Sequence, residues 1–373
     1  MKHYILIVLL SLAGAVIISA QNTPEGVPAT TNITNARYPR ILPDSRVIFQ
    51  VTAPQAKNVQ IDLHKKYDLK KNEAGIWTIT TDPQGPGFHY YSLIIDGVSV
   101  ADPASESFYG MSRMASGIEV PAKGIDYYDV KNVPHGDIRS KFYFSKTTNS
   151  WRRFLIYTPA GYDVNTKEKY PVLYIIHGGG EDETGWALQG KANFILDNLV
   201  SAGKAKKMLI VMVDANVGSG GAMGNSMKVF RDEILTDIIP FVEQNYRVST
   251  GPENRALAGL SMGGLQTLYT GLTNTDKFAY IGVFSSGWLP NQTDLAEESY
   301  TYLKNNIEMF KKNIKLLFLA TGSQEDGAYP NCHNLMKRFD ELGIKYQYYD
   351  YPGGHTWPVW RDNLFKFAPL LFK

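Results

Sequence analysis

The segment Gly259-Leu260-Ser261-Met262-Gly263, followed by Gly264, sets one serine between glycines. It falls where an apolar run, Arg255 to Gly259, gives way to a helical pattern starting at Met262. A serine on a sharp strand-to-helix turn presents its hydroxyl at the strand end. The flanking glycines are needed because a Cβ would collide where the chain bends back. The helix that follows helps hold negative charge beside the serine. Such a hydroxyl suits acyl transfer, but at neutral pH it is a poor nucleophile without a base. In chains of this order the base follows the last strand, and Gly353-Gly354-His355-Thr356-Trp357 presents one histidine there, after Tyr346 to Tyr349. Other histidines fit less well. His64 and His89 lie in alternating β patterns, His135 in a linking stretch, His177 before a glycine run and His333 in a helical pattern.

A histidine base needs a carboxylate that fixes its tautomer and stabilises the imidazolium, expected after the penultimate strand. Lys315 to Ala320 leads into Thr321-Gly322-Ser323-Gln324-Glu325-Asp326, where two adjacent acids compete. Glu325 is preferred and Asp326 is the alternative; the one not facing His355 is expected to be a solvated loop carboxylate. Acyl transfer also needs an oxyanion hole. One donor should be the backbone N–H of Met262; the second should come from His177-Gly178-Gly179-Gly180, with Gly179 the chosen donor and a plain tight turn the alternative. His177 is expected to prop this loop and do no chemistry. Trp186, Trp288, Tyr329 and Trp357 lie near predicted strand ends; they are candidates for an aromatic substrate pocket and equally well core or lid. Glu181-Asp182-Glu183 reads as a solvated loop rather than a cation site. No H-E-x-x-H and no paired His/Cys spacing occurs, so neither metal nor cofactor is expected.

Two regions with different hydrophobic periods must position these groups. From Ser45 to about Val120 the pattern alternates: Val47, Phe49, Val51; Val59, Ile61, Leu63; Ile76-Trp77-Thr78-Ile79-Thr80; then Tyr90 to Ile95 and Asp96-Gly97 as a hairpin turn. Period two with D-G punctuation predicts a small antiparallel sandwich, bounded at 44–125. Gln21 to Pro43 is polar and irregular and reads as a leader or linker, 21–43. From 126 to 373 short apolar strands alternate with helical segments, including Trp186–Leu199, Val229–Tyr246 and Trp360–Leu371. That alternation predicts a mostly parallel sheet with helices on both faces, an α/β class. With the serine turn it predicts an α/β-hydrolase domain behind an all-β module.

Composition bounds the function classes. The apolar fraction is 44% over 373 residues, enough for a large core. The formal net charge is +2 with no long basic block, so nothing electrostatic points to nucleic acid. Residues 1–20 read as an export signal. Lys2-His3 precedes the apolar run Tyr4 to Ile18, and Ser19-Ala20 offers a small-residue cleavage site before Gln21. The run is shorter than the ~20 residues a spanning helix needs, and no later stretch is longer, so no stable membrane insertion is expected after cleavage. Cys332 is the only cysteine, so no intrachain disulfide can form; in its helical setting it reads as a packing residue. Export without disulfides fits a bacterial periplasm or exterior.

Two resemblances add to this. "VIFQVTAP…KNVQIDL…GIWTIT…GFHYYSLIIDGVSVADP" resembles the early-set immunoglobulin-like domain found beside glycan-active enzymes, including carbohydrate-binding module family 48. By that likeness Trp77, Tyr90 and Tyr91 are candidates for stacking on sugar rings, with core the plainer role. The segments Pro134-His135-Gly136, Tyr170-Pro171-Val172-Leu173-Tyr174, His177-Gly178-Gly179, Gly259 to Gly264 and Gly354-His355-Thr356-Trp357 resemble carbohydrate esterase family 1 and its relatives. These are feruloyl esterases, acetylxylan esterases and enterochelin-esterase-like proteins. The Gly-x-x-acid spacing of that family places the acid on Glu325, where many members carry Asp, and this departure keeps Asp326 open. The resemblance implies a secreted serine esterase acting on feruloyl or acetyl esters of xylan. The partner is then a small-molecule or polysaccharide ester, with no nucleic acid. Alternatives with the same residues are a siderophore esterase, a peptidase or an acyltransferase. A glycan-binding protein on a retired hydrolase fold is the alternative from another class.

Overall fold

The computed structural model describes residues 26–218 and 225–373. The export-signal reading of residues 1–20 lies outside them. Residues 26 to 120 form a sandwich of two antiparallel sheets. One runs in the order Val27–Pro28, Arg40–Ile41, Arg46–Thr52, Ile76–Pro83, Lys70–Lys71. The other runs Ser107–Gly110, Arg113–Val120, Gly87–Ile95, Val59–Leu63, Lys65–Asp68, with Val98–Val100 paired to Gly87–Ile95. The alternation sets the core: Val59, Ile61 and Leu63 are buried between half-exposed Gln60 and Asp62. They meet Val47, Phe49, Tyr91, Leu93 and Ile118. The expected leader is corrected in part. Val27–Pro28 pairs with Arg40–Ile41, which pairs with Arg46–Thr52, so the first sheet begins well before residue 44. Strands of two residues are too short to show a period, which is why the sequence hides them.

The second region is built on one eight-stranded sheet. Its strands, in chain order, are β1 (Asp137–Ser145), β2 (Ser150–Thr158), β3 (Val172–Ile176), β4 (Leu209–Val213), β5 (Arg255–Leu260), β6 (Tyr280–Phe284), β7 (Leu316–Gly322) and β8 (Gln347–Tyr351). Spatially they run β1-β2-β4-β3-β5-β6-β7-β8, antiparallel across the first two pairings and parallel from β4 onward. β3, β4 and β6 read VLYII, LIVMV and YIGVF and are buried at every position. Continuous apolar strands are what a parallel sheet with both faces covered requires. One face packs on Ala192–Ser201 and Trp357–Phe367, the other on the helical stretch Ser226–Asn245. The expected helix over 186–199 is broken: Gly185–Leu188 and Ala192–Ser201 are separate helices. A Cβ at Gly190 would meet the Trp186 carbonyl at 2.7 Å, so the break is packed tightly against the first helix. Ser226–Asn245 contains a π-helical turn at Ile234–Ile238. Cys332 is fully buried among Leu268, Leu335 and Phe339, and burial pushes its thiol up to about 12.

The two regions share a polar seam. Arg361, fully buried in the last long helix, makes a bidentate ion pair with Glu119 of the sandwich at 2.7 and 2.9 Å. Its Nε donates to the Gln189 carbonyl at 2.7 Å. Gln189 Nε2 donates to Tyr90 Oη and to the Tyr109 carbonyl. Among the described residues no helix is long and apolar enough to cross a membrane.

Candidate active site

Ser261 sits between β5 and the helix Met262–Thr273, with φ 52° and ψ −115°. A non-glycine residue held there costs about 1–3 kcal/mol and persists only where its surroundings over-determine it. They do so here: Ser261 N–H donates to Phe284 O at 2.9 Å, and its carbonyl accepts from Leu265 N–H at 3.1 Å and Ser286 Oγ at 2.7 Å. Glycines allow the bend. A Cβ on Gly259 would stand 2.3 Å from the Gly263 carbonyl oxygen, and one on Gly263 would stand 2.4 Å from that of His177.

His355 Nε2 lies 2.8 Å from Ser261 Oγ, and His355 Nδ1 lies 2.8 Å from Asp326 Oδ1. The preferred acid is therefore corrected: Asp326 faces the imidazole and Glu325 is exposed. The loop after β7 is not extended. Asp326 N–H donates to Ser323 O at 2.8 Å, a turn that brings the fourth residue after Gly322 back over the strand end. A Cβ on Gly322 would lie 2.9 Å from Asp326 Cβ, so glycine leaves the space the aspartate fills. Asp326 is fully buried. Its Oδ2 accepts from Gly322 N–H and its Oδ1 also from Ala328 N–H, each at 2.9 Å. Burial alone would raise this carboxyl. Hydrogen bonds from His355 and the Ala328 and Gly322 amides outweigh it and hold the carboxyl at about 2.

The loop after β3 brings Gly178 and Gly179 beside the serine: a Cβ at Gly178 would lie 3.6 Å from Ser261 Cβ, and one at Gly179 would lie 4.0 Å from Met262 Cβ. The Met262 N–H opens a helix, where the first amides have no intrahelical acceptor. Gly178, Gly179 and Met262 thus all bring backbone up to the serine. His177 is buried beneath them, its Nδ1 on Gly178 O at 2.7 Å and its Nε2 accepting from Ala215 N–H at 3.0 Å.

The acidic run is not the solvated loop expected of it. Glu181 and Glu183 are buried. Glu183 pairs with Arg153. Glu181 Oε2 accepts from Gly178 N–H at 3.3 Å, and Oε1 accepts from Trp357 Nε1 at 2.8 Å and Tyr90 Oη at 3.1 Å. Burial pushes its carboxyl above the ordinary value. The glycine loop is also held from the sandwich, where Ser112 N–H donates to Gly180 O at 2.8 Å.

These groups open on a cleft of about 1110 Å³ whose lining includes Ser261, His355, Leu265, Leu289, Trp357 and Trp360. The sandwich supplies another wall, with His64, Tyr109, Met111 and Arg113. Of the four aromatic candidates only Trp357 lines the cleft. Trp186 is core, its indole N–H on Ile176 O at 2.9 Å. Trp288 packs against the clusters around Leu268 and Leu265, and Tyr329 lies against His333 with ring centroids 3.9 Å apart. Trp77 and Tyr91 are buried in the sandwich, and Tyr90 and Tyr91 both border the cleft. Glu181 and the sandwich wall were missed because their roles depend on contacts between segments far apart in sequence. The adjacency of Glu181 to the glycine loop was the one available signal.

The family model described as "Putative esterase" matches residues 145–371. The chain belongs to this family of carboxylic ester hydrolases. Among curated relatives, an endo-1,4-beta-xylanase/feruloyl esterase of Xylanibacter ruminicola is 35% identical; the alignment covers 93% of this chain and 47% of that protein. This chain therefore spans about half of that relative's length. Among solved structures, the feruloyl esterase module from Clostridium thermocellum complexed with sinapinate superposes with a TM-score of 0.56 at 28% identity, covering 66% of this chain and 91% of the module. The enterobactin esterase of Shigella flexneri, at 18% identity, shares the fold across 87% of this chain and 92% of its own, with a TM-score of 0.66. The fold is thus an α/β-hydrolase preceded by an all-β domain.

Proposed function

We propose that this chain hydrolyses acyl esters of plant cell-wall polysaccharide, hydroxycinnamoyl esters of the ferulate kind ahead of acetyl esters, through an acyl-enzyme on Ser261. His355 Nε2 takes the hydroxyl proton as Ser261 Oγ bonds to the ester carbonyl carbon. The oxyanion is met by the Met262 and Gly179 amides. The carbon–oxygen bond to the sugar then breaks, and His355 returns the proton to the departing sugar oxygen. Water, deprotonated by the same nitrogen, releases the acid and restores the serine. Asp326 holds the His355 tautomer and stabilises the imidazolium.

The observation that carries this reading is the pair of 2.8 Å contacts from one imidazole to Ser261 Oγ and Asp326 Oδ1. The acyl preference rests on the cleft, whose leucine and tryptophan lining an acetyl group would leave largely unfilled. The feruloyl esterase relatives support the substrate class. Release of ferulate and acetate from wheat arabinoxylan and acetylated xylan tests it, with p-nitrophenyl acetate as the generic ester. Acetate without ferulate would overturn the acyl preference. Turnover of p-nitrophenyl acetate with neither product would overturn the wall-ester reading.

Residues 1–20 support export, which we propose together with cleavage after Ala20. N-terminal sequencing of the protein recovered outside the cytoplasm should begin at Gln21; a chain still starting at Met1 would refute it.

A further inference from the structure

The antiparallel hairpin β1–β2 carries three exposed aromatic side chains, Phe142 at 63%, Phe144 at 46% and Trp151 at 71% exposure. The register puts Phe144 opposite Trp151 and Phe142 opposite Arg153. Directly opposed residues share a face, as do residues two apart, so the three rings project from the same side of the hairpin. Phe144 meets Trp151 edge-on, with centroids 5.7 Å apart and planes at 78°, which steadies the indole while leaving it open to solvent.

The position of this face matters. Phe154 pairs with Val213, the last residue of β4, so Ser150 to Arg153 overhang the carboxyl end of the parallel strands, the end where Ser261 sits. Phe142 and Trp151 border a shallow groove with Tyr109, Asp182 and Asn216. Tyr109 and Asn216 border the catalytic cleft as well, so the groove adjoins the cleft. Asn216 Nδ2 donates to Glu181 O at 2.7 Å, which ties the groove to the glycine loop. Both arginines of the groove are paired, Arg153 with Glu183, and Arg152 at 3.6 Å from Asp214 and 2.7 Å from Glu233, while Asp182 is met by the Thr184 amide and hydroxyl.

We propose that this face is a subsite for the glycan chain that bears the scissile ester, with Trp151, buttressed by Phe144, as its stacking platform. A pyranose ring offers an apolar C–H face and a rim of uncharged hydroxyls. Exposed aromatic faces beside carboxylates that can accept from sugar hydroxyls match that chemistry. A protein partner fits less well: three rings fall short of the ~800 Å² per side of a stable interface. The flanking Arg139 and Lys141 on the edge strand also discourage strand addition.

The proposal rests on the polysaccharide reading above, and the test separates the two. The full chain is run by native affinity electrophoresis in gels with and without soluble arabinoxylan, a measurement that needs no hydrolysis. Wild type should be retarded by the glycan, and Phe144→Ala/Trp151→Ala should not. The same variant should raise KM for feruloylated arabinoxylan about 10-fold while leaving kcat/KM for p-nitrophenyl acetate unchanged. Phe144 and Trp151 pack chiefly on each other, with Trp151 mostly exposed, so the thermal midpoint should hold, and Trp151→Phe should keep part of the retardation. Equal retardation of wild type and the double variant would overturn the subsite. So would sedimentation showing a wild-type dimer that the variant dissociates, which would make the face a protein interface. Loss of retardation by the variant in a wild type that releases no ferulate would uphold the glycan subsite and refute the acyl reading alone.

Discussion

Replacing Asp326 by Asn tests the central geometry most sharply, because one atom changes inside a site whose shape stays the same. Oδ1 takes a hydrogen bond from His355 Nδ1 at 2.8 Å, and Oδ2 takes one from Gly322 N–H. If the Asn oxygen keeps the imidazole, its amide nitrogen confronts the Gly322 N–H, donor against donor. If it flips, the amide donates to His355 Nδ1, the ring proton moves to Nε2, and that nitrogen can no longer accept from Ser261. Either way a full negative charge beside the forming imidazolium is lost. At a charge separation of about 4 Å and an effective dielectric near 20, that charge is worth about 4 kcal/mol. At about 1.4 kcal/mol per decade this is roughly a thousandfold in kcat, and the tautomer error carries it toward about 10⁴. The assay is kcat on p-nitrophenyl acetate for purified Asp326→Asn beside Glu325→Gln, with circular dichroism and a thermal melt to show that both fold. Glu325 is exposed, so Glu325→Gln should stay within about twofold of wild type, as surface changes away from such features do. An Asp326→Asn enzyme within tenfold of wild type, or a crippled Glu325→Gln, would refute the reasoning.

Ser261→Ala and His355→Ala should each cost several orders of magnitude in kcat with the fold intact, because members of such a unit act together; a folded variant keeping a tenth of the rate would exclude that residue. Gly259→Ala should destabilise by about 1–3 kcal/mol, read as a lowered urea midpoint, since the new Cβ meets the Gly263 carbonyl at 2.3 Å; an unchanged midpoint would contradict the packing of the bend. Arg361→Met should cost about 3–5 kcal/mol in the same measurement, because it strands Glu119 in the seam between the two regions. The Asp326 carboxyl is depressed to about 2 in the folded chain, from an ordinary value of 3.8. Its contribution, about 2 kcal/mol, is therefore present above about pH 4 and lost as pH falls toward 2. Asp326→Asn should be less stable than wild type at pH 6, and the gap should narrow on acidification; a constant gap from pH 6 to pH 2.5 would argue against the depressed carboxyl.

What the sequence made legible follows from how local each signal is. The bend at Ser261 was readable because glycine placement, strand and helix all lie within about a dozen residues of chain, and periodicity of that length is the strongest local signal. His355 was readable from chain order. Glu325 against Asp326 was not, since the choice turns on the hydrogen bond from Asp326 N–H to Ser323 O, and a one-residue error in a loop has no periodicity to correct it. Trp186, Trp288 and Tyr329 lie near strand ends as expected, yet proximity in sequence to a strand end does not say which face a ring takes. Two of them pack into layers behind the sheet. β1 escaped notice because it sets Arg139 and Lys141 on the face of buried Tyr143 and exposed Phe142 and Phe144 on the other, so neither face reads as core.

The sandwich and the hydrolase are joined at the place where precision matters to the chemistry. Glu181 accepts at once from the glycine loop, from Trp357 two residues past the base, and from Tyr90 of the sandwich. A buried carboxylate is tolerable only when its lone pairs are met, so each donor is held by the cost of leaving the others with an unmet charge. Gly180 is fixed from the other side by the Ser112 amide, and a Cβ there would stand 3.0 Å from that nitrogen. The loop carrying Gly179 is therefore clamped between two elements of the sandwich, and the loop carrying His355 is tied to the same carboxylate. Oxyanion donors and base work only within narrow geometric tolerance. The all-β domain thus bears on the proposed catalysis through Tyr90 at Glu181 and the Ser112 amide at Gly180, and it gives the cleft its second wall.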